Sequence, residues 1–377
     1  MRILLYSHPF WPSLGGIERV SQLLAEALSA RGHSIDLVTA TPSADQAWDQ
    51  AQPYRIWRRP PLPLLFSLVA RAHIVHGNGA SFGAVLPALL LGRPALWTHQ
   101  AYQLLAIDGL GWADGSPTPL LPASSIAFYR SRLPPLTWVR QGLLLRLRRW
   151  LATRLHANVA ISHWVAKRQP LPRQRVIPNP VELAPYPWSP STERPVPILF
   201  LGRLVSEKGL EVLLHALVHL SSHPQPLHPT VLVVGDGPMR DPWQRLSQQL
   251  GLASQVRFLG ALSGEPLLAA LNQARIGVVP STWEEPMGLV AVELIAAGLI
   301  PVVAERGGLA ENIGTIGSTF PNGDSASLAT VLRTLLNHPR PFPMDQAKAL
   351  VATFQPQAIA ARYEALYLDL VPDRLSP

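Results

Sequence analysis

A chain of 377 residues with 47% hydrophobic and only 15% charged side chains holds enough apolar material for two packed domains and is not a disordered polymer. It contains no cysteine, which removes disulfide frameworks, thiolate zinc sites, iron–sulfur clusters and cysteine nucleophiles. Its net charge of +8 suits acidic partners: nucleic acid, an anionic membrane surface or phosphate-bearing small molecules.

In chain order, Arg2 to Ser7 (RILLYS) reads as a buried strand. Ile17, Val20, Leu23, Leu24, Ala27 and Leu28 then keep helical spacing, Gly32 stops that helix, and Ser34 to Thr39 starts the next strand. Further strand-like runs lie at His73 to His76, Ala95 to Thr98 and Asn158 to Ser162. Residues 108–137 show no period and predict a long loop. Trp138 to His156 reads as a basic amphipathic helix, either a core-packed surface helix or a segment lying on an anionic membrane. Residues 183–197, rich in proline, form the expected linker.

The rhythm then restarts with Ile198 to Leu201, Val231 to Val234, Val256 to Leu259, Ile276 to Val279 and Pro301 to Val303. Continuous apolar strands alternating with helices mean parallel sheets covered on both faces. The expected fold is α/β, with two Rossmann-like doubly wound domains, 1–182 and 198–356, facing across a cleft. A last amphipathic helix, 357–370, could pack on either. Pro9 and Pro12 break any secretory signal, and no apolar run of membrane-spanning length is free of charge. The expected location is cytoplasmic, with a peripheral contact at the inner membrane face left open.

Six places could carry chemistry. Gly15-Gly16 follows the first strand and opens a helix, as an ordinary turn or as backbone that approaches an anion. Arg203 and Lys208 stand on the turn after Ile198 to Leu201, as a solvated basic turn or as a clamp on a diphosphate. Glu285 precedes a helix that contains Glu293 among apolar residues, so Glu293 needs partners, which bound hydroxyls would supply; the amides near Gly288 and Leu289 would face the same ligand. His99 ends a strand, structural or catalytic. Asp236-Gly237 follows VLVV, a tight turn or backbone near a base. The arginines of 138–156 are the sixth. No G-x-G-x-x-G fingerprint accompanies these strands, which argues against a dehydrogenase, and scattered basic residues without a recognition motif argue against nucleic acid.

In order and spacing, HPFWPSLGGIERVSQLLAEALSARGHSIDLVT, LFLGRLVSEKGLEVLLHAL, VVGDGP, VRFLGAL and PSTWEEPMGLVAVELIAAGLIPVVAERGGLAENI resemble the family 4 retaining glycosyltransferases of the GT-B fold. The resemblance implies a nucleotide-sugar donor, UDP ahead of GDP, a saccharide, lipid-linked or small-molecule acceptor, and neither metal nor other cofactor. It assigns Gly15 and Gly16 to the donor phosphate and reaction centre, His99 to the transferred sugar, and Arg203 with Lys208 to the diphosphate. Glu285 would contact sugar hydroxyls, Glu293 the ribose diol, and Met287, Gly288 and Leu289 the sugar and phosphate. Asp236, Gly237 and Leu262 would lie near the base. Met287 replaces the family's usual Phe, and Pro180 stiffens a segment that normally flexes. Two rivals are a non-catalytic sugar-nucleotide or membrane-surface binding protein and a GT-B sugar-nucleotide epimerase.

Overall fold

The computed structural model describes residues 1–13, 15–43, 45–183 and 194–371. The chain divides into two compact units. Unit 1 comprises Met1–Ala113, Thr118–Glu182 and Thr353–Pro377, and unit 2 comprises Asp114–Pro117 and Leu183–Ala352.

Unit 1 is built on strands β1 (Arg2–Ser7), β2 (Ser34–Thr39), β3 (Arg55–Arg58), β4 (Ile74–Asn78) and β5 (Ala95–His99). Two short strands follow in the chain, β6 (Trp112–Ala113) and, in the Asp114–Pro117 segment assigned to unit 2, β7 (Ser116–Pro117); unit 1 then resumes with β8 (Ala157–Ala160) and β9 (Gln174–Val176). The main sheet runs β3-β2-β1-β4-β5-β8-β9, with every pair parallel. The inner strands β1, β4 and β5 are buried almost throughout, as strands covered on both faces must be.

Unit 2 repeats the plan with β10 (Val196–Leu201), β11 (Val231–Val234), β12 (Val256–Gly260), β13 (Ala274–Val279), β14 (Ile300–Ala304) and β15 (Ser318–Phe320). Its order is β12-β11-β10-β13-β14-β15, again parallel. In both sheets the order reverses beside the first strand, between β1 and β4 and between β10 and β13. Such a switch point opens a crevice at the carboxyl ends of the strands, where doubly wound sheets bind ligands.

Several expectations need revision. Strands β3, β9 and β15 were not anticipated, because RIWR, QRV and STF are short edge or near-edge runs without a continuous apolar stretch. The stretch 108–137 is not one long loop. It holds helix Pro122–Tyr129, and helix Pro135–Arg154 begins inside it. Asp108 organises this region: its carboxylate accepts from the amides of Leu110 and Gly111 at 2.6 Å, from the Thr118 hydroxyl at 2.6 Å and from the Tyr129 hydroxyl at 2.8 Å. Most of the expected linker, 184–193, lies outside the described residues. β10 starts at Val196 rather than Ile198, and Arg194 is already buried in unit 2, donating to the carbonyls of Ala274 and Ala297 at 2.9 Å.

The last helix, Pro356–Leu370, packs in unit 1. Ile359, Ala360, Tyr363, Leu366 and Tyr367 join the core formed by Leu24, Leu28, Ile35 and Ile74. A buried polar chain reinforces that packing. His76 Nδ1 lies 2.7 Å from the Tyr367 hydroxyl, His76 Nε2 lies 2.7 Å from Thr98 Oγ1, and Thr98 Oγ1 lies 2.8 Å from the Tyr363 hydroxyl. Among the described residues, no helix is long and apolar enough to cross a membrane.

Candidate active site

In unit 2 the loops that leave the two switch-point strands meet. β10 is followed by Arg203, a single helical turn at Ser206–Lys208, and helix Leu210–Ser221. β13 is followed by Ser281 and Glu285. The Thr282 amide donates to the Glu207 carbonyl at 3.1 Å, joining the loops. Gly209 makes the join tight: it sits at φ +63°, and a Cβ there would come within 2.3 Å of the Pro280 carbonyl oxygen. Only glycine tolerates both that backbone angle and that approach.

Lys208 Nζ then reaches Glu285 Oε1 at 2.8 Å. Glu285 is 4% exposed, and its Oε1 also accepts from the buried Ser281 hydroxyl. The Glu285 backbone is held as well, bridged to Gly307, with its carbonyl accepting from the Gly308 amide at 2.7 Å. A buried carboxylate is tolerated only with such partners. Asn322 supports the loop from below by donating to the carbonyls of Ser281 and Trp283 at 3.1 and 3.2 Å. Sequence reading missed both Ser281 and Asn322. Nothing marks either one locally, since each matters only through residues that the fold brings beside it.

Helix Leu289–Ala296 points its N-terminus toward the same loop. Gly288 precedes it at φ +75°, where a Cβ would strike Leu309, and Met287 is buried, its carbonyl accepting from the Asn312 side chain. Leu289 is half-buried. Glu293 lies on this helix. Burial pushes its carboxyl above the usual carboxylate range, and the Lys208 charge opposes that rise. Arg203 is different: its side chain is 75% exposed, with Nη2 3.8 Å from Glu207 Oε1, too loose and solvated a pair to occupy it. Asp236 accepts from the Gly237 amide at 2.8 Å and from Arg240 at 3.3 Å, and Leu262 is half-buried. Unit 2 thus brings Lys208 and Glu285 into contact and sets Glu293 close enough for Lys208 to influence its titration.

In unit 1, Gly15 caps helix Gly16–Ala30 and both glycines are exposed. The Glu18 carboxylate lies over Gly15 and accepts from the Ser13 hydroxyl at 2.9 Å, so the first turn supplies its own anion at the helix N-terminus. His99 closes β5 and is 1% exposed. Its Nε2 is 2.9 Å from Asn158 Oδ1, while Asn158 Nδ2 donates to the carbonyls of Ala152 and Pro172. That arrangement makes Nε2 the protonated nitrogen. Burial pulls the His99 pKa down to about 4, with the Asn158 hydrogen bond acting the other way, so the ring is neutral at pH 7.

Beside it runs a second feature that sequence reading missed. Ser7, Ser21, Asn78, Gln100 and Asn179 are all buried and bonded in series. Ser7 Oγ meets Ser21 Oγ at 2.7 Å, Asn78 donates to Ser21 at 2.6 Å, Gln100 donates to Asn78 at 2.6 Å, and Asn179 donates to Gln100 at 2.7 Å. This chain ties the glycine-led helix to the ends of β1 and β4 and to the residue that follows His99.

Two family models divide the chain between them. Glycosyltransferase Family 4 matches residues 14–184, and Glycosyl transferases group 1 matches residues 189–352. The chain is 26% identical to glycogen synthase of Mycobacterium tuberculosis, over 98% of this chain and 94% of that protein. It is 31% identical over 260 residues to a phosphatidyl-myo-inositol mannosyltransferase of Propionibacterium freudenreichii, covering 64% of this chain and 63% of that one. Among solved structures, sucrose-phosphate synthase from Thermosynechococcus elongatus superposes with a TM-score of 0.69 at 22% identity, covering 98% and 99% of the two chains. Anabaena HepE in complex with UDP-glucose superposes with a TM-score of 0.64 at 20% identity, covering 99% and 98%. The two parallel doubly wound units are those of the GT-B fold. The chain belongs to the group 1, family 4 glycosyltransferases, and it is an enzyme of that class.

Proposed function

We propose that this glycosyltransferase moves a sugar from a nucleotide-sugar donor to a saccharide, lipid-linked or small-molecule acceptor, with retention at the anomeric carbon and without a metal ion. A UDP-sugar is favoured over a GDP-sugar, in keeping with the UDP-glucose held by the structural relative HepE. The observation that carries the reading is the Lys208–Glu285 pair at the unit 2 switch point, with Arg203 exposed on the same loop.

Breaking the anomeric C–O bond builds negative charge on the departing diphosphate and positive charge on the sugar. Lys208, held by Glu285, and the amides of Met287, Gly288 and Leu289 are donors set before the reaction, and the exposed Arg203 adds a mobile cation on the same loop; together they stabilise the leaving group as its charge grows. Glu285, oriented by Ser281 and Lys208, accepts from sugar hydroxyls, and Glu293 accepts from the ribose diol. The base rests by Asp236, Gly237 and Leu262. A leaving phosphate oxygen takes the proton of the acceptor hydroxyl on the face where the new bond forms, so no carboxylate nucleophile is required. Gly15, Gly16 and His99 keep the roles that the family resemblance assigns them, the glycines at the donor phosphate and His99 at the transferred sugar.

The test is a transfer assay with UDP- and GDP-sugars in excess chelator. Arg203→Ala and Lys208→Ala should each lower kcat/KM by about 100-fold or more. Near-normal turnover in both variants would overturn the assignment of those roles, and loss of wild-type activity on chelation would overturn the metal-free chemistry.

A further inference from the structure

Helix Pro135–Arg154 divides its side chains in an unusual way. Leu145, Leu151 and Ala152 are buried in unit 1 together with Gly142. A helix lying on a domain ordinarily turns polar residues outward. Here Leu136, Val139, Leu143, Leu147 and Trp150 face solvent, with Leu136 83% and Leu143 58% exposed. Their spacing of three, four, four and three residues aligns them in one stripe, about 20 Å long at the α-helical rise.

Cations border this stripe. Arg140, Arg146 and Arg154 are exposed, and the Arg154 guanidinium lies 4.8 Å over the Trp150 ring. Arg130 and Arg132 are exposed just upstream. Two other arginines turn toward the protein: Arg148 sits 5.5 Å over the Phe82 ring, and Arg149 donates to the Leu104 carbonyl at 3.0 Å. From Gly115 to Val181 the chain has eleven Lys and Arg and no Asp or Glu. Beside the stripe, a notch of about 110 Å³ opens between helices Pro122–Tyr129 and Pro135–Arg154, with Ile126, Trp138 and Gly142 in its wall and Arg146 among its lining residues.

An apolar row ringed by cations and free of acids needs a partner that is apolar in its interior and anionic at its surface. A second copy of this chain fits badly, because a two-fold interface would set the same arginines against one another. An anionic bilayer fits on both counts: acyl chains cover the stripe, headgroup phosphates meet the arginines, and Trp150 has the amphipathic character of an interfacial anchor. We propose that this face of unit 1 docks on an anionic lipid bilayer, with helix Pro135–Arg154 lying in the plane of the interface. The proposal stands on this surface alone and does not depend on which sugar is transferred.

The test is co-sedimentation of the full chain with phosphatidylcholine vesicles, with and without about 30% phosphatidylglycerol, enough for a strong negative surface potential. Binding is expected only to the anionic vesicles. Replacing Arg140 and Arg146 together by Gln should weaken it roughly 30-fold, the effect of two cations at such a surface. The pair Leu143→Gln with Trp150→Gln should weaken it at least about tenfold by removing inserted apolar area. Arg245→Gln with Arg257→Gln, the same charge loss on unit 2, should leave binding unchanged. All these side chains are exposed, so unaltered melting curves verify that each variant is folded. No binding, equal binding to neutral vesicles, or equal weakening by the unit 2 pair would overturn the proposal. So would a wild-type dimer that Leu143→Gln with Trp150→Gln converts to monomer.

Discussion

Unit 1 carries 21 Lys and Arg against 10 Asp and Glu, whereas unit 2 carries 11 against 14. The contrast continues inside. The buried polar side chains that unit 1 links in series are neutral: Ser7, Ser21, Asn78, Gln100 and Asn179 in one chain, His76, Thr98, Tyr363 and Tyr367 in another. Its exposed cations lie outside, around a bare apolar stripe. Unit 2 places ionisable groups in the loops after β10 and β13 and in the helix that follows, in Lys208, Glu285 and Glu293. Two sheets of the same order therefore serve different ends, one packed around neutral polar side chains and one carrying ionisable groups where doubly wound sheets bind ligands. The lesson is that a doubly wound sheet supplies a position for chemistry, while the side chains at its strand ends decide what that chemistry is.

Acid should separate the two units most clearly. Burial lowers His76 to a pKa of about 3 and His99 to about 4, so both are neutral in the folded state and take up protons near 6.5 when unfolded. Their contribution is complete above pH 6.5 and is lost as pH falls toward those values, by up to about 1.4 kcal/mol per pH unit for each. Glu211 and Glu293 in unit 2 are shifted upward by burial, so their contribution is complete below the ordinary carboxylate range and lost as pH rises through the raised values. Moving from pH 6.5 to 5 should cost unit 1 roughly 4 kcal/mol at most from His76 and His99 together. Urea unfolding across that range should show a gentler acid slope for His76→Phe than for wild type; an identical slope would erase the contrast.

The next effect concerns stability alone. Arg194 is 5% exposed and donates to backbone carbonyls from two helix ends and a strand start, at Leu271, Ala297 and Ala274. Arg194→Met removes those donors from a dry site and should destabilise the fold by about 3 kcal/mol. A change below about 0.5 kcal/mol, the scale of an ordinary surface substitution, would show that water replaces the guanidinium there. Smaller still is Ser281→Ala. Losing one hydrogen bond to Glu285 should reduce kcat/KM by about tenfold and leave Lys208 in place. Should kcat/KM stay at the wild-type value, Lys208 alone would be sufficient to orient that carboxylate.

The inner strands were legible because an unbroken apolar run such as RILLYS or VLVV suits only a position covered on both faces. Glu285 and the basic turn at Arg203 and Lys208 stood out because they fall at strand-to-helix junctions, and Glu293 because it is a carboxylate within an apolar helix. Strands β3, β9 and β15 were not, since their residues carry no such run. Helix Pro122–Tyr129 was hidden for a related reason: its surroundings are ordered by Asp108 through bonds to residues as far on as Tyr129, which no local pattern announces. The stripe on helix Pro135–Arg154 could not be assigned a direction, because that helix is apolar on both its inner and outer faces.

Local pattern was sufficient for the order of the inner strands and for the strand-to-helix junctions that follow them, because backbone preference and hydrophobic period act over a few residues. It could not tell that Lys208 meets Glu285, 77 residues further on, or that Gln100 meets Asn179 across 79. Nor could it tell which leucines of helix Pro135–Arg154 face water. Those outcomes depend on which surfaces pack together, and burial belongs to the folded arrangement rather than to any single stretch of chain.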